Sequence, residues 1–161
     1  MAEWRAAVLT VSDGVSQGTR EDASGELAAS MLEEHGFTVV ERRVIPDGAD
    51  PVAEAIADLA TGADLVVTTG GTGLGPRDLT PEGTAMVIER EAPGLAEAMR
   101  AVTFGKNPHG MLSRGLAGTV GNTLVINLPG SPRGVEESLD VILPGLDHGI
   151  ALLVNEPTDH N

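Results

Sequence analysis

The chain has 161 residues, enough for one domain with a proper core, and it carries 24 acidic against 10 basic side chains. This net charge of −14 repels nucleic acid and anionic membranes, and one Trp, two Phe and no Tyr leave little for base stacking. The absence of cysteine excludes disulfides and thiol chemistry. Because no window approaches about 18 uninterrupted apolar residues, we expect a cytoplasmic protein with no membrane partner.

The N-terminal part, up to residue 69, alternates between strands and helices. Apolar, β-branched runs predict strands over 4–12, 37–45 and 64–69. Helices between them are predicted to begin near Asp22 and Asp50, each after a polar loop or turn. A helix between each pair of strands implies right-handed crossovers, and therefore a parallel sheet.

The rest of the chain is predicted to contain three helices, an irregular segment and a β-hairpin. In chain order these are a helix over 80–90, a helix over 95–102, irregular structure over 104–115, a hairpin over 116–127 and a last helix from Ser131. Gly121 and Asn122 suit a two-residue hairpin turn, and Pro144 is expected to break or kink the last helix.

The predicted fold class follows from this order of elements. It is a three-layer α/β fold with a mostly parallel sheet, helices on both faces and a β-hairpin in the C-terminal half. We expect one domain over 1–155 and a loose tail over 156–161.

The most informative stretch is the glycine loop, which we define as residues 70–78, directly after the third predicted strand. Its four glycines let backbone N–H groups approach a bound group because no Cβ stands in the way. Thr80, followed by Pro81 and Glu82, predicts a helix start with Thr80 as the N-cap. Strand, glycine loop and helix N-terminus form the geometry that binds anions in open α/β sheets. A tight structural turn is the alternative, and neither the P-loop nor the dinucleotide-binding pattern matches.

Polar residues follow every predicted strand of the parallel sheet. Ser12 and Asp13 follow the first strand, Asp47 the second, the glycine loop the third, and Pro129, Gly130 and Ser131 the last. Because the loops at the carboxyl ends of parallel strands line one crevice, we expect these residues to converge there.

Asp47 and Asp78 are the acids best placed for chemistry. Two carboxylates in one pocket suit a Mg²⁺ ion bound partly through phosphate oxygens, and Asp78 could instead hold a substrate amide or amine. For both acids the alternative is turn and capping chemistry. Ser131 is interpreted as an N-cap or an anion contact, because no His-Asp pairing makes it a nucleophile.

The sequence GGTGLGPRDLTPEGT, from Gly70 to Thr84, resembles the signature of the MogA/MoaB family of molybdenum-cofactor biosynthesis proteins. Weaker matches at 9–13 and 127–132 fall in the same order. The resemblance implies a Mg²⁺-dependent molybdopterin adenylyltransferase, in which ATP adenylylates the molybdopterin phosphate and pyrophosphate is released. It makes Asp47 and Asp78 the catalytic and metal-binding acids. The substrate-binding set is then Ser12, Asp13, Gly70, Gly71, Thr72, Gly73, Arg77, Thr80, Pro129, Gly130 and Ser131.

Two alternatives to this activity stay open. One is a catalytically weak, MoaB-like protein that binds molybdopterin in the same pathway, and the other is an unrelated nucleotide or sugar-phosphate enzyme. Gly14 stands where the family often has Arg, which would weaken phosphate binding or move that role to Arg20 or Arg114. Arg77, Arg114, Arg133 and Lys106 are expected to supply the charge that faces the substrate, whereas Arg42 and Arg100 are expected to lie elsewhere.

The expected partners are small molecules, a pterin and a nucleotide, and other molybdenum-cofactor enzymes are further candidates. The resemblance also implies a homo-oligomer, specifically a trimer. The segment 104–116 is apolar for an exposed stretch and would pack on a neighbouring subunit. It contains Lys106 and also His109, whose role is left open.

Overall fold

The computed structural model describes residues 3–158, so the last part of the predicted tail, 159–161, lies outside the described residues. The strands are β1 (Arg5–Val11), β2 (Thr38–Ile45), β3 (Leu65–Thr69), β4 (Arg90–Glu91), β5 (Ala117–Val120) and β6 (Thr123–Leu128). The helices are α1 (Asp13–Ser16), α2 (Ala23–Glu34), α3 (Ala49–Leu59), α4 (Thr80–Ala85), α5 (Pro93–Ala101) and α6 (Pro132–Leu153). A 3₁₀ helix, Pro108–Leu112, lies within the segment predicted as irregular.

The strands form one six-stranded sheet in the order β2-β1-β3-β6-β5-β4. The pairs β2-β1, β1-β3 and β3-β6 are parallel, and the β5-β6 hairpin and β4 add antiparallel pairs. The predicted fold class is therefore confirmed. Strand β4 was not predicted: its two residues are both exposed and carry no apolar pattern. The helix predicted over 80–90 ends at Ala85 because the chain then turns to pair with β5.

Alternation along the central strands builds a core on each face of the sheet. Ala6 and Val8 of β1 pack on one face with α2, α5 and α6, whereas Ala7 and Leu9 pack on the other with α3. Strand β3 is buried throughout, as its uninterrupted apolar run predicts. The result is three layers, and β1, β3 and β6 carry their carboxyl ends to one edge of the sheet.

Two local predictions depend on backbone geometry. Gly121 has a φ of 57° and Asn122 has an ordinary negative φ, the pattern of a type II′ hairpin turn. Helix α6 is not broken at Pro144. The residue is exposed, so water can reach the carbonyl that loses its partner, while Leu143 and Leu146 hold the helix against the core. No helix within 3–158 is long and apolar enough to cross a bilayer.

Asn127 joins three elements from a buried position. Its Oδ1 accepts from the Leu116 N–H at 3.0 Å, and its Nδ2 donates to the hydroxyls of Thr68 at 3.1 Å and Thr84 at 2.9 Å. The side chain thus links the hairpin to β3 and α4 at 2% exposure.

We expect Asn127→Ala to lower the free energy of unfolding by about 2–4 kcal/mol, because three hydrogen bonds are lost and a buried N–H is left unpaired. Denaturant titration followed by circular dichroism measures this change. Asn122→Ala, in the exposed hairpin turn, is the control and should stay within about 0.5 kcal/mol of wild type. Equal effects from the two substitutions would contradict the role given to Asn127.

Candidate active site

The loops after β1 and β2 are joined by two reciprocal hydrogen bonds. The backbone N–H of Asp13 donates to Asp47 Oδ2 at 3.0 Å, and the backbone N–H of Asp47 donates to Asp13 Oδ1 at 3.1 Å. Ser12 caps α1, with its Oγ accepting from the Val15 N–H at 3.2 Å. The predicted meeting of Ser12, Asp13 and Asp47 at one edge is therefore present in the structure.

Arg77 ties the glycine loop to these two loops. Its Nε donates to Asp13 Oδ2 at 2.6 Å, and its Nη2 donates to Asp13 Oδ1 at 3.1 Å and to the Asp47 carbonyl at 3.2 Å. The Arg77 guanidinium holds the pKa of Asp13 below its ordinary value. Arg77 was expected to supply charge that faces the substrate, and in the structure its exposed guanidinium is paired with Asp13.

Two glycines allow the loop to cross the end of the sheet. Gly70 and Gly71 have φ values of 95° and 68°, in the region that side chains rarely adopt. A Cβ on Gly70 would lie 2.3 Å from the carbonyl oxygen of Val11, and a Cβ on Gly71 would lie 2.3 Å from Thr80 Oγ1. These two positions therefore accept glycine alone.

Thr80 does not cap α4, and that prediction was wrong. The N-cap is Leu79, which makes no side-chain capping bond. Thr80 is fully buried, with its hydroxyl donating to the Gly70 carbonyl at 2.9 Å and its N–H donating to the Gly71 carbonyl at 3.0 Å. The loop folds back over the helix start, so this hydroxyl finds a loop carbonyl as its acceptor.

Arg114 holds the other half of the glycine loop. Its backbone N–H donates to the Thr72 carbonyl at 2.9 Å, its Nε to the Gly73 carbonyl at 2.8 Å and its Nη2 to the Asp78 carbonyl at 2.6 Å. Its Nη1 pairs with Glu82. Arg114 was expected to face the substrate, but each guanidinium nitrogen is used by the protein itself.

The two candidate acids, Asp47 and Asp78, differ in their hydrogen bonds and in their electrostatic surroundings. Asp78 Oδ2 accepts from the Gly75 N–H at 2.9 Å, which closes the loop on itself. Burial raises the pKa of Asp47 above its ordinary value. The charges of Asp13 and Asp78 raise this pKa further, whereas the hydrogen bond from the Asp13 N–H lowers it. The charge of Asp47 is therefore unfavourable in the folded chain, and a cation placed here would relieve it.

This donor set fits magnesium better than a transition metal. Among residues 3–158 there is no cluster of three or more His, Asp and Glu side chains arranged to hold a metal. A pair of carboxylates completed by phosphate oxygens and water is the arrangement that Mg²⁺ usually takes in nucleotide sites. Asp47 and Asp78 are the residues that would hold the ion.

Two cavities lie on either side of the glycine loop. The polar cavity, of about 540 Å³, is lined by Asp47, Asp78, Gly70, Gly71, Gly130 and Ser131, among others. The apolar cavity, of about 310 Å³, is lined by Thr72, Gly73, Met99, Leu112, Ser131 and Glu137, among others. Ser131 lines both cavities.

The loop after β6 completes the site. Ser131 caps α6 as predicted, with its Oγ accepting from the Gly134 N–H at 3.1 Å. Ser24 Oγ donates to the Gly130 carbonyl at 2.6 Å, and a Cβ on Gly130 would lie 3.2 Å from the Cα of Gly70. Pro129 faces the apolar cavity. The structure thus brings together the residues predicted at the four strand ends.

Several polar residues of the site were missed or misplaced by the sequence analysis. Asp22 lines the polar cavity and accepts from the hydroxyl of Thr10 at 2.9 Å. Arg42, expected to lie away from the site, pairs with Asp22 at 3.2 Å. Arg100 and Glu137 line the apolar cavity from α5 and α6. Asp22 is the N-cap of α2, Arg42 lies on an edge strand, and Arg100 and Glu137 lie inside helices. No motif distinguishes these residues from ordinary caps and surface charges.

The comparisons with known proteins agree with this geometry. Residues 7–148 match the model of the family described as "Probable molybdopterin binding domain". The molybdopterin adenylyltransferase of Helicobacter pylori is 36% identical over 91% of this chain and 86% of its own length. The crystal structure of the molybdopterin biosynthesis enzyme MoaB from Thermus thermophilus superposes with a TM-score of 0.90, at 43% identity, over 97% of this chain and 99% of that one.

Longer relatives contain the same domain. Gephyrin of Dictyostelium discoideum is 38% identical over 96% of this chain, which spans 23% of that protein. Across three longer relatives the chain spans between 23% and 48% of their length. The chain belongs to the family of molybdopterin-binding domains that includes MogA and MoaB, and it has a role in molybdenum-cofactor biosynthesis.

We expect Asp47→Asn to leave the protein at least as stable as wild type at pH 7. The pKa of the half-buried Asp47 carboxyl is raised, so its ionisation costs stability as the pH rises through that pKa. Asparagine keeps an acceptor for the Asp13 N–H and carries no charge. Thermal unfolding at several pH values measures the effect: the stability gained over wild type should be largest near neutral pH and vanish below the ordinary pKa of 3.8. A variant that melts well below wild type at pH 7 would contradict this.

Proposed function

We propose that the chain is a molybdopterin adenylyltransferase, which transfers AMP from ATP to the terminal phosphate of molybdopterin. The observation that carries the proposal is the convergence of Asp47, Asp78 and the glycine loop between two cavities at the carboxyl edge of the sheet. The named activity of the Helicobacter pylori relative supports it.

The reaction asks for positioning and charge neutralisation rather than for a protein nucleophile. A phosphate oxygen of molybdopterin attacks the α-phosphorus of ATP, the bond from that phosphorus to the bridging oxygen breaks, and pyrophosphate leaves. The attacking phosphate is already ionised, so no general base is needed. Backbone N–H groups of Gly70, Gly71 and Gly73 are the donors proposed to orient the phosphates.

The positive charge for a polyanionic substrate must come from few sources. Arg77 is engaged by Asp13, and Arg114 is engaged by loop carbonyls and Glu82, whereas Arg20 is the arginine that lines the polar cavity. We therefore propose that the site depends on magnesium held by Asp47 and Asp78. When bound, this ion would neutralise part of the negative charge of the phosphates.

A second candidate is a MoaB-like protein that binds molybdopterin with little catalysis. The same engagement of Arg77 and Arg114 favours it, because guanidinium groups already held by acids and carbonyls of the protein contribute less to stabilising a developing pyrophosphate. The similarity to the MoaB of Thermus thermophilus is compatible with either candidate.

We expect Asp47→Asn and Asp78→Asn each to lower turnover by at least about a hundredfold, as removal of a group that stabilises the transition state does. Molybdopterin-dependent pyrophosphate release, with and without Mg²⁺, measures turnover. Asp50→Asn, on an exposed acid in the first turn of α3, is the control and should retain wild-type rates.

The outcomes of this assay separate the candidates. If the wild type turns over and Asp78→Asn reacts at a near-normal rate, Asp78 has no role in the reaction. Binding of molybdopterin without turnover would favour the second candidate. No binding of molybdopterin would contradict both candidates and favour an unrelated nucleotide or sugar-phosphate enzyme.

We also propose that the chain assembles as a homotrimer, which the family resemblance implies. Phe104, Met111 and Leu112, in the segment predicted to pack on a neighbour, are 69%, 60% and 47% exposed in the single chain. An exposed apolar group of this kind is typical of an interface.

Sedimentation at micromolar concentration should therefore show a trimer for the wild type. Met111→Asp should shift the mass toward the monomer, because the new charge would be buried at the interface. Met86→Asp, on a residue that is also 60% exposed but follows directly after α4 as its C-cap, should leave the assembly unchanged. A wild-type monomer, or equal dissociation by both substitutions, would overturn the proposal.

A further inference from the structure

Glu137 carries a buried oxygen with no partner. Its Oε1 accepts from Arg133 Nε at 3.0 Å across one turn of α6. Its Oε2 is buried and has no hydrogen-bond partner among the described residues. A carboxylate oxygen left in this state is costly, so a donor is expected to reach it when the site is in use.

The Glu137 side chain is also part of the wall of the apolar cavity. Glu137 lines it together with Leu74, Ala96, Met99 and Leu112. Polar residues, among them Arg100, Asn127 and Ser131, also line it. Apolar walls with a few polar groups are typical of sites that hold a small organic ligand and fix its orientation. The volume of about 310 Å³ is at the lower end for small-ligand sites, which suits one fused ring system.

The cavity adjoins the place where the phosphates are proposed to bind. Thr72 and Gly73 of the glycine loop form part of its wall, and Ser131 is shared with the polar cavity. A molecule with its phosphates at the glycine loop can therefore place its ring beside Glu137.

We propose that Glu137 recognises the N–H edge of a planar nitrogen heterocycle bound in the apolar cavity. An ionised carboxylate offers acceptors alone, so it selects a ring edge that donates, such as an exocyclic amino group with or without a neighbouring ring N–H. The adenine of ATP and the pterin of molybdopterin both carry such an edge. The inference rests on the proposed function for its two ligands and assigns Glu137 a role in specificity, apart from the phosphate chemistry.

Separate calorimetric titrations with ATP and with molybdopterin test this on Glu137→Gln. Glutamine keeps the shape and an acceptor for Arg133, but it places an amide nitrogen or an uncharged oxygen where the carboxylate faced the ring. We expect affinity for one of the two ligands to fall by about tenfold or more, as loss of a charge-assisted bond does. Glu136→Gln, on the exposed neighbouring acid of the same helix, should leave both affinities unchanged. The ligand whose affinity falls identifies the ring in the cavity.

Wild-type protein provides a second test that does not depend on how the variant folds. If adenine occupies the cavity, purine riboside triphosphate, which lacks the amino group, should bind about tenfold or more weakly than ATP. If the pterin occupies it, lumazine, with an oxygen in place of the amino group, should bind correspondingly more weakly than pterin. Unchanged affinities in Glu137→Gln, or no discrimination within either pair of analogues, would overturn the role of Glu137. Failure of the wild type to bind both ATP and molybdopterin would instead overturn the proposed function.

Discussion

The close crossing of the glycine loop over the end of β1 is the constraint on which the site depends. The chain leaves β3 at Gly70 with a φ of 95°, so near to β1 that a Cβ would meet the Val11 carbonyl at 2.3 Å. The loop then turns at Gly71 against Thr80, which fixes the start of α4. Because the loop is held down at this point, one cavity opens on each side of it.

Charge is arranged in the site in a way that net charge alone does not reveal. The protein carries −14, yet the acids at the edge of the sheet are not a diffuse negative surface. Asp13 is paired with Arg77, whereas burial raises the pKa of Asp47. The negative charge of Asp13 is therefore balanced by Arg77, whereas the negative charge of Asp47 is unfavourable in the folded chain. Such a carboxylate is suited to a cation that arrives with a phosphorylated substrate.

The sequence predicted the features that local rules control. Uninterrupted apolar runs located β1 and β3, glycine spacing located the loop, and the strand-end rule placed Asp13 and Asp47 at one edge. Thr80 shows where local rules fail: its position before a proline predicted a cap, but a carbonyl ten residues earlier in the chain captured its hydroxyl.

The partners of charged side chains were the least predictable part. Arg77 pairs with an acid 64 residues away, and Arg114 reaches carbonyls 36 and 41 residues away. Pairings of this kind depend on how the loops are folded together, which neither composition nor periodicity encodes. Glu137 was missed for the same reason, since only the packed structure shows that one of its oxygens is buried at a cavity.

Amide hydrogen exchange in the presence of Mg²⁺, ATP and molybdopterin tests most directly whether the glycine loop between the two cavities is the binding site. Protection should appear in peptides covering 69–80 and 129–134. Peptides covering 60–64 and 120–123, which line a separate cavity at the opposite edge of the sheet, should exchange as in the free protein. Protection confined to that opposite edge, with unchanged exchange over 69–80, would contradict this placement of the site.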